Sequence, residues 1–236
     1  MCQLCDNGVG EVDPPSPADS VKTPAVSPNR PLKIVGLGGS LAAVSRSRAA
    51  LATALDGAKA AGAETELLDI RELDLPMYNS DADEPTPAAA RLIEGLYAAD
   101  GIIWSSPLYQ GSISGALKNA IDWLHPLGDR DPQYLQDKVI GLICASGGAQ
   151  GLQAINTMEF PVRALRAWAV PYVVPVATAA RVFDEAGRIL NPAIEQQLKL
   201  LGSEVVRVAE RFVVDDAPDH AAECARASER VASAAA

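Results

Sequence analysis

The sequence of 236 residues lacks any apolar run near the roughly 20 residues that a membrane-spanning helix needs. It is also poor in basic residues, with 20 Lys and Arg against 30 Asp and Glu and a formal net charge of −10. Nucleic-acid binding draws most of its affinity from Lys and Arg that neutralise phosphates, so nucleic acid is disfavoured as a partner. The first residues lack a basic segment followed by an apolar core, so no secretory signal is expected. We expect a soluble, cytoplasmic protein.

Cysteine is scarce, and the four cysteines show no disulfide framework. Cys2 and Cys5 form one CxxC pair, but a closed zinc site needs four ligands and no second pair completes it. We therefore predict no metal site and interpret the pair as incidental.

Histidine is scarcer still, with only His125 and His220. His125 precedes a proline in a connecting segment and His220 lies near the end of the chain, so both are interpreted as surface residues. The sequence also has no GxSxG motif, which disfavours a Ser-His-Asp hydrolase.

The composition predicts one domain with a tail at each end. A hydrophobic share of 48% and a charged share of 21% are typical of a globular protein. Residues 1–30 are rich in Pro, Ser, Asp and Thr and are predicted to be a flexible tail. Residues 215–236, rich in Ala and charge, fit either a frayed helix or a second tail. The domain is expected to span residues 31–214.

Short apolar runs alternate with helical patterns along this domain. A helix is predicted over Ser45–Ala61 with Gly62 as its C-cap, and another helix follows Gly151, where Pro161 should kink or divide it. Apolar residues three and four apart mark the remaining helices. Nearly continuous apolar strands between helices predict an α/β fold with a parallel sheet covered on both faces. The predicted strands are Leu32–Gly36, Glu64–Ile70, Ile102–Ser105, Val139–Ala145 and Tyr172–Val176.

Ligands of such sheets bind beyond the carboxyl ends of the strands, which directs attention to the loops 36–47, 105–114 and 145–151. The first loop runs into a helix N-terminus, where free backbone amides and the hydroxyls of Ser40, Ser45 and Ser47 can hold a phosphate. Leu41 stands where a dinucleotide-binding GxGxxG motif needs glycine, and the Gly-Lys-Ser/Thr of a P-loop is absent. The alternative is that these serines only cap the helix.

The other two loops suit a planar ligand. Pro107 stiffens the turn after the third strand, and Gly111 lets the backbone approach a ligand closely. Tyr109 offers an aromatic surface and a hydroxyl to such a ligand, and the lesser alternative is a half-buried tyrosine whose hydroxyl faces water. Glycines 147 and 148 give the third loop the same freedom of approach.

Three stretches carry a resemblance to a known family: Gly39-Ser40 with Ser45-Arg46-Ser47, Ser106 to Trp123, and Asp69 to Met77. Over about residues 32–190 the chain resembles the NADPH-dependent FMN reductases. This family includes reductase partners of two-component flavin monooxygenases and the related quinone, azo and chromate reductases. The resemblance implies a flavodoxin-like sheet of five parallel strands in the order 2-1-3-4-5.

The resemblance also implies an FMN site and no catalytic side chain, because the flavin carries the chemistry. Ala42 and Ala43 stand where the family often has an arginine, so Arg46 is a candidate partner of the phosphate, while Arg48 could reach the cofactor or remain solvated. A modest affinity for FMN would suit a protein that uses flavin as a substrate. The implied cofactor-binding residues are Gly39, Ser40, Ser45, Arg46 and Ser47 in the first loop, Pro107, Leu108, Tyr109, Gln110, Gly111 and Ser112 in the second, and Ser146, Gly147 and Gly148 in the third.

The predicted function is reduction of FMN by hydride transfer from NADPH or NADH, with a flavin-dependent monooxygenase as one recipient of the reduced flavin. One alternative is a reductase that keeps FMN bound and reduces quinones, azo compounds or chromate. A second is a flavodoxin-type electron carrier without NAD(P)H activity, and a third is a binding module that has lost flavin. The resemblance further implies a homodimer or homotetramer.

Overall fold

The computed structural model describes residues 30–81 and 84–215. The two predicted tails, and with them Cys2, Cys5 and His220, lie outside the described residues apart from Arg30 and Asp215. In the part of the chain that is described, no helix combines the length and apolar character needed to cross a membrane.

Five parallel strands form one sheet in the order β2-β1-β3-β4-β5, which confirms the predicted flavodoxin-like fold. Every neighbouring pair is parallel, so all carboxyl ends lie at one edge of the sheet. The central strand β3 is buried along its whole length, as a strand covered on both faces must be. The strands are β1 (Lys33–Gly38), β2 (Glu64–Asp69), β3 (Gly101–Pro107), β4 (Val139–Ala145) and β5 (Trp168–Val176).

The helices cover both faces of the sheet. The described residues contain α1 (Arg46–Ala60), α2 (Ile70–Leu73), α3 (Pro87–Tyr97), α4 (Gly115–Asp122), α5 (Gly151–Ala164), α6 (Ala179–Val182) and α7 (Pro192–Asp215), with a 3₁₀ turn at His125–Asp129. The apolar sides of α1, α6 and α7 pack on one face of the sheet, and those of α2 to α5 pack on the other. Two apolar cores therefore enclose the sheet.

The inner strands β1 and β3 run past their predicted ends to Gly38 and Pro107, and the two edge strands differ from the prediction at a proline and at a helix cap. β5 begins at Trp168, four positions before the predicted start, because Pro171 is tolerated in a strand at the edge of the sheet, where an N–H can be left unpaired. β2 ends at Asp69 rather than Ile70, since the Asp69 side chain caps α2 and starts a helix at Ile70.

Pro161 does not divide its helix, so that part of the prediction was wrong. α5 runs from Gly151 to Ala164 with Pro161 inside it. The proline lies in the last turn, where it removes only one backbone donor, and its own carbonyl still accepts from the Leu165 amide at 2.9 Å.

Helices α1 and α7 pack backbone to backbone through two glycines. A β-carbon on Gly202 would lie 1.9 Å from the Ala54 carbonyl oxygen, and one on Gly57 would lie 2.1 Å from the Lys199 carbonyl oxygen. Both distances are far below van der Waals contact, so only glycine allows the two helices to approach this closely. The contact fixes the position of α1 and hence of the loop that precedes it.

Replacing Gly202 by Ala should therefore lower the free energy of unfolding by about 2 kcal/mol or more, because the added methyl group overpacks the helix contact. Urea unfolding followed by circular dichroism measures this change. Gly115→Ala is the matched control, since a β-carbon at this helical position meets no atom within 4 Å. Equal stability of the Gly202 variant and the wild type would contradict the described contact.

Arg30 joins the start of the domain to the loop before β3. Its guanidinium makes two hydrogen bonds of 2.7 Å to the carboxylate of Asp100, which also accepts from the Lys33 backbone amide at 2.7 Å. Burial alone would raise the pKa of Asp100, but the hydrogen bonds from Arg30 and Lys33 outweigh it and hold the pKa below its usual range.

Asp100→Asn should consequently lower the free energy of unfolding by about 1 kcal/mol at pH 7, a modest value because the Arg30 side chain is more than half exposed. The folded protein holds the pKa of this carboxyl below its unfolded value. Its contribution is thus present above about pH 4 and is lost as the pH falls further. Urea unfolding from pH 7 to pH 3 tests this, and a difference that widens towards acid would contradict it. Glu210→Gln on the exposed face of α7 serves as the control, since this carboxylate has no ion pair within the described chain.

Candidate functional site

The ends of β1 and β3 lie in direct contact at the centre of the sheet edge. A β-carbon on Gly38 would lie 2.3 Å from the Ser105 carbonyl oxygen, and the Gly39 amide donates to that oxygen at 3.2 Å. Gly39 has φ +106°, a conformation that side chains rarely adopt. From this point the chain after β1 leads to α1 on one face and the chain after β3 leads to α4 on the other, which is the switch point where open sheets bind ligands.

The first loop gathers three buried hydroxyl groups. Ser40 Oγ donates to Ser45 Oγ at 3.0 Å, and Ser45 Oγ lies 3.0 Å from Ser47 Oγ. Ser45 is also the N-cap of α1, since its hydroxyl accepts from the Arg48 amide at 3.3 Å. Ser45 therefore caps the helix and also belongs to a cluster with Ser40 and Ser47, so the hydroxyls do more than cap.

This loop fits a phosphate group. The backbone amides of Arg46 and Ser47 begin the 15-residue helix α1. They donate to no acceptor among the described residues. Free amides at a helix N-terminus and nearby hydroxyls are the donors that phosphate oxygens accept from. The hydroxyl cluster and these amides together supply such donors without a dedicated lysine.

The two loop arginines, of which the sequence favoured Arg46 as the partner of the phosphate, have different environments. Arg46 is exposed and forms no hydrogen bond or ion pair within the described chain. Arg48 donates from Nε to Asp69 Oδ2 at 2.6 Å, at the end of β2. Asp69 is missing from the predicted site residues because it lies 21 positions from Arg48, and only the pairing of β1 with β2 brings the two together.

The second loop forms a tight turn. Tyr109 and Ser112 exchange two backbone hydrogen bonds, of 2.9 and 3.0 Å, around Gln110 at φ +48° and Gly111 at φ +81°. Two consecutive positive φ values are typical of a type I′ turn, and glycine at the second position relieves the strain there. The Tyr109 side chain is 53% exposed, so part of its ring is accessible at the sheet edge.

Pro107 and Leu108 join the second loop to the third. Pro107 is buried as the last residue of β3, and the Leu108 amide donates to the Ala145 carbonyl at 3.2 Å. This bond fixes the spacing between the two loops.

The third loop is held by the turn after β5. Ser146 Oγ donates to the Gly148 carbonyl at 2.6 Å, while the Thr178 and Ala179 amides donate to the carbonyls of Gly148 and Ser146 at 3.3 and 2.8 Å. A β-carbon on Gly147 would meet no atom within 4 Å, so the backbone there faces open space. No motif in the sequence revealed the role of Thr178, whose φ of +49° is uncommon for a threonine.

A groove of about 680 Å³ adjoins the first loop on its outer side. Its walls are residues 42–45, the outer face of α1, the end of β2 and residues 186–189 of a short hairpin. Asp184 and Arg188 pair at 2.7 Å within that hairpin, and Phe183 bridges to Ile189. No pattern in the sequence predicts this hairpin.

The described residues contain one cysteine, Cys144, which is buried within β4 and forms no disulfide. Burial raises the pKa of its thiol to about 11, so the group stays protonated at neutral pH and is a poor nucleophile. Among residues 30–81 and 84–215 no group of His, Cys, Asp and Glu has an arrangement that could hold a metal ion.

Known proteins are similar to this chain in sequence and in fold. The NADPH-dependent FMN reductase family matches residues 32–181. The NADPH-dependent FMN reductase ArsH of Shigella flexneri is 32% identical over 177 residues, which cover 75% of this chain and 68% of that protein. An NADPH azoreductase of a Bacillus species is 33% identical over 140 residues, covering 58% of this chain and 75% of the relative.

A solved structure shares the fold. The flavoenzyme FerB, an NAD(P)H:(acceptor) oxidoreductase from Paracoccus denitrificans, aligns with a TM-score of 0.63 at 22% identity, over 77% of this chain and 98% of that one. The switch point, the hydroxyl-lined helix N-terminus and the family match over most of the sheet lead to one conclusion: the chain belongs to the NADPH-dependent FMN reductase family.

Proposed function

We propose that the protein reduces FMN with NAD(P)H at the three loops, and that FMN enters and leaves as a substrate. The observation that carries this proposal is the cluster of three buried serine hydroxyls at the N-terminus of α1. Such a cluster exceeds what a helix cap requires, and it has the donors that a phosphate monoester needs.

In this proposal each loop holds one part of FMN. Ser40, Ser45 and Ser47, with the amides of Arg46 and Ser47, bind the phosphate, and Gly39 supplies the turn that directs them. The second loop, from Pro107 and Leu108 through Tyr109, Gln110, Gly111 and Ser112, borders the ribityl chain and one side of the ring. The third loop, with Ser146, Gly147 and Gly148, presents backbone amides to the ring edge. Bound FMN supplies the hydride chemistry, so these residues need only bind and orient it.

Ser47→Ala should weaken FMN binding about tenfold, because a buried hydroxyl that donates to a charged phosphate is lost. Binding of riboflavin, which has no phosphate, should stay unchanged. Quenching of flavin fluorescence measures both affinities. Ser203→Ala on α7, far from the loops, is the control, and an equal loss for FMN and riboflavin would contradict the proposed phosphate site.

The lack of an arginine at positions 42 and 43 supports FMN as an exchangeable substrate. Ala42 and Ala43 occupy the turn, Arg46 points into solvent and Arg48 is paired with Asp69. The phosphate would therefore contact neutral hydrogen-bond donors, while the positive charge of Arg48 is shared with Asp69. A reductase that retains FMN and reduces azo compounds or quinones is the second candidate, favoured by the azoreductase among the relatives.

Steady-state oxidation of NADPH by flavin-stripped protein distinguishes the two candidates. The rate should rise with free FMN until it saturates, at concentrations well above that of the enzyme. A rate that is already maximal at one FMN per protein and depends on an added quinone would favour the second candidate.

Further properties belong to the same proposal. We propose that residues 31–214 form the catalytic domain, that it acts in the cytoplasm, and that a flavin-dependent monooxygenase is one recipient of the reduced FMN. A homodimer or homotetramer is supported by the exposed apolar side chains of Leu152 and Phe160 on α5, the helix that follows the third loop.

A further inference from the structure

Asp69 places a buried negative charge beside the first loop. It is the last residue of β2, pairs in register with Gly38 and is only 5% exposed. A β-carbon built on Gly39 would lie 3.2 Å from Asp69 Oδ1, 3.4 Å from Arg48 Cβ and 3.8 Å from Ser45 Oγ. The carboxylate, the base of the Arg48 side chain and the hydroxyl cluster therefore meet at one point.

Each carboxylate oxygen of Asp69 has a partner in the protein. Oδ1 accepts from the Arg71 amide at 3.0 Å and Oδ2 accepts from Arg48 Nε at 2.6 Å. Arg48 is thus held by its backbone amide at the Ser45 cap and by its guanidinium at β2. The second carboxylate near this guanidinium, Glu72, is 4.0 Å away and 67% exposed, so solvent screens it.

A carboxylate beside a phosphate site is unfavourable for a dianionic ligand, because like charges a few ångströms apart repel. Arg48 cancels that repulsion, but its charge is then no longer available to attract the phosphate. The ion pair has no net charge, so the phosphate would be held mainly by hydrogen-bond donors of the loop.

We propose that the Arg48–Asp69 pair sets the affinity for the FMN phosphate, with Asp69 cancelling the charge of Arg48 so that FMN remains exchangeable. This inference rests on the proposed phosphate site. Asp69 is an affinity-determining residue in this scheme, and it acts on the ligand through charge rather than through direct contact.

Four proteins test the inference, since they give the pair different net charges: Asp69→Asn (+1), the wild type (0), the double variant Arg48→Met with Asp69→Asn (0), and Arg48→Met (−1). The dissociation constant for FMN, measured by fluorescence quenching, should rise about tenfold for each unit of charge lost, which follows from Coulomb's law for a dianion at several ångströms in water. The double variant should bind FMN about as tightly as the wild type. Riboflavin should bind all four proteins equally.

Measurements at two ionic strengths and a matched control variant distinguish an effect of charge on affinity from a structural effect. The advantage of Asp69→Asn over the wild type should shrink between low and high ionic strength, because screening weakens the interaction. Glu72→Gln should leave the ratio of FMN to riboflavin affinity unchanged. Circular dichroism and urea unfolding establish that each variant is folded, and Asn at position 69 can still accept from the Arg71 amide.

The outcomes distinguish this inference from the proposed function. If the wild type binds FMN no more tightly than riboflavin, the phosphate site itself is wrong and the inference fails with it. If the wild type prefers FMN but Asp69→Asn does not strengthen that preference, only the inference is overturned. A double variant as weak as Arg48→Met, or parallel changes for riboflavin, would likewise overturn it by showing a structural role.

Discussion

The contact between β1 and β3 determines where every part of the site lies. Gly38 has no side chain, so the Ser105 carbonyl can approach its α-carbon, and the two chains separate only after this point. Ser105 Oγ then donates to the Ser47 carbonyl at 2.8 Å and ties the first turn of α1 to the end of β3. The hydroxyl cluster is thus held by two inner strands of the sheet, and groups placed on strands are positioned more precisely than groups on loops alone.

The site is mostly formed by backbone and neutral hydroxyl groups. Its loops are ordered by bonds within the protein, such as those from Thr178 and Ala179 to the third loop. A flavin brings its own reactivity, so a protein that uses it needs a shaped and ordered surface more than an activated side chain. In the proposed scheme, ionisable groups near the loops therefore affect the affinity for the ligand rather than the chemistry.

Local patterns were sufficient to predict the α/β alternation, and the family resemblance supplied the strand order. Apolar runs mark β1, β3 and β4 because these inner strands are buried on both faces. The edge strand β2 and the exposed first half of β5, which contains Pro171, have a weaker apolar signal. The three loops were located because they follow the carboxyl ends of the first, third and fourth predicted strands, and their glycines and serines then indicated a binding role. Their internal geometry was not predictable, because the distances between Ser40, Ser45 and Ser47 depend on the turn that Gly39 makes. The Arg48–Asp69 pair depends on strand pairing across 21 positions, which no local pattern contains.

The hairpin at residues 183–189 lies just past the region that matches the family, which ends at residue 181. It forms one wall of the groove beside the first loop, and a β-carbon on Gly187 would lie 3.7 Å from a methyl group of Val44. Its ends are joined by the bridge between Phe183 and Ile189, so its tip can change in length or composition without disturbing the sheet. Selection could therefore reshape what approaches the outer side of the first loop while the central strands and the hydroxyl cluster stay as they are.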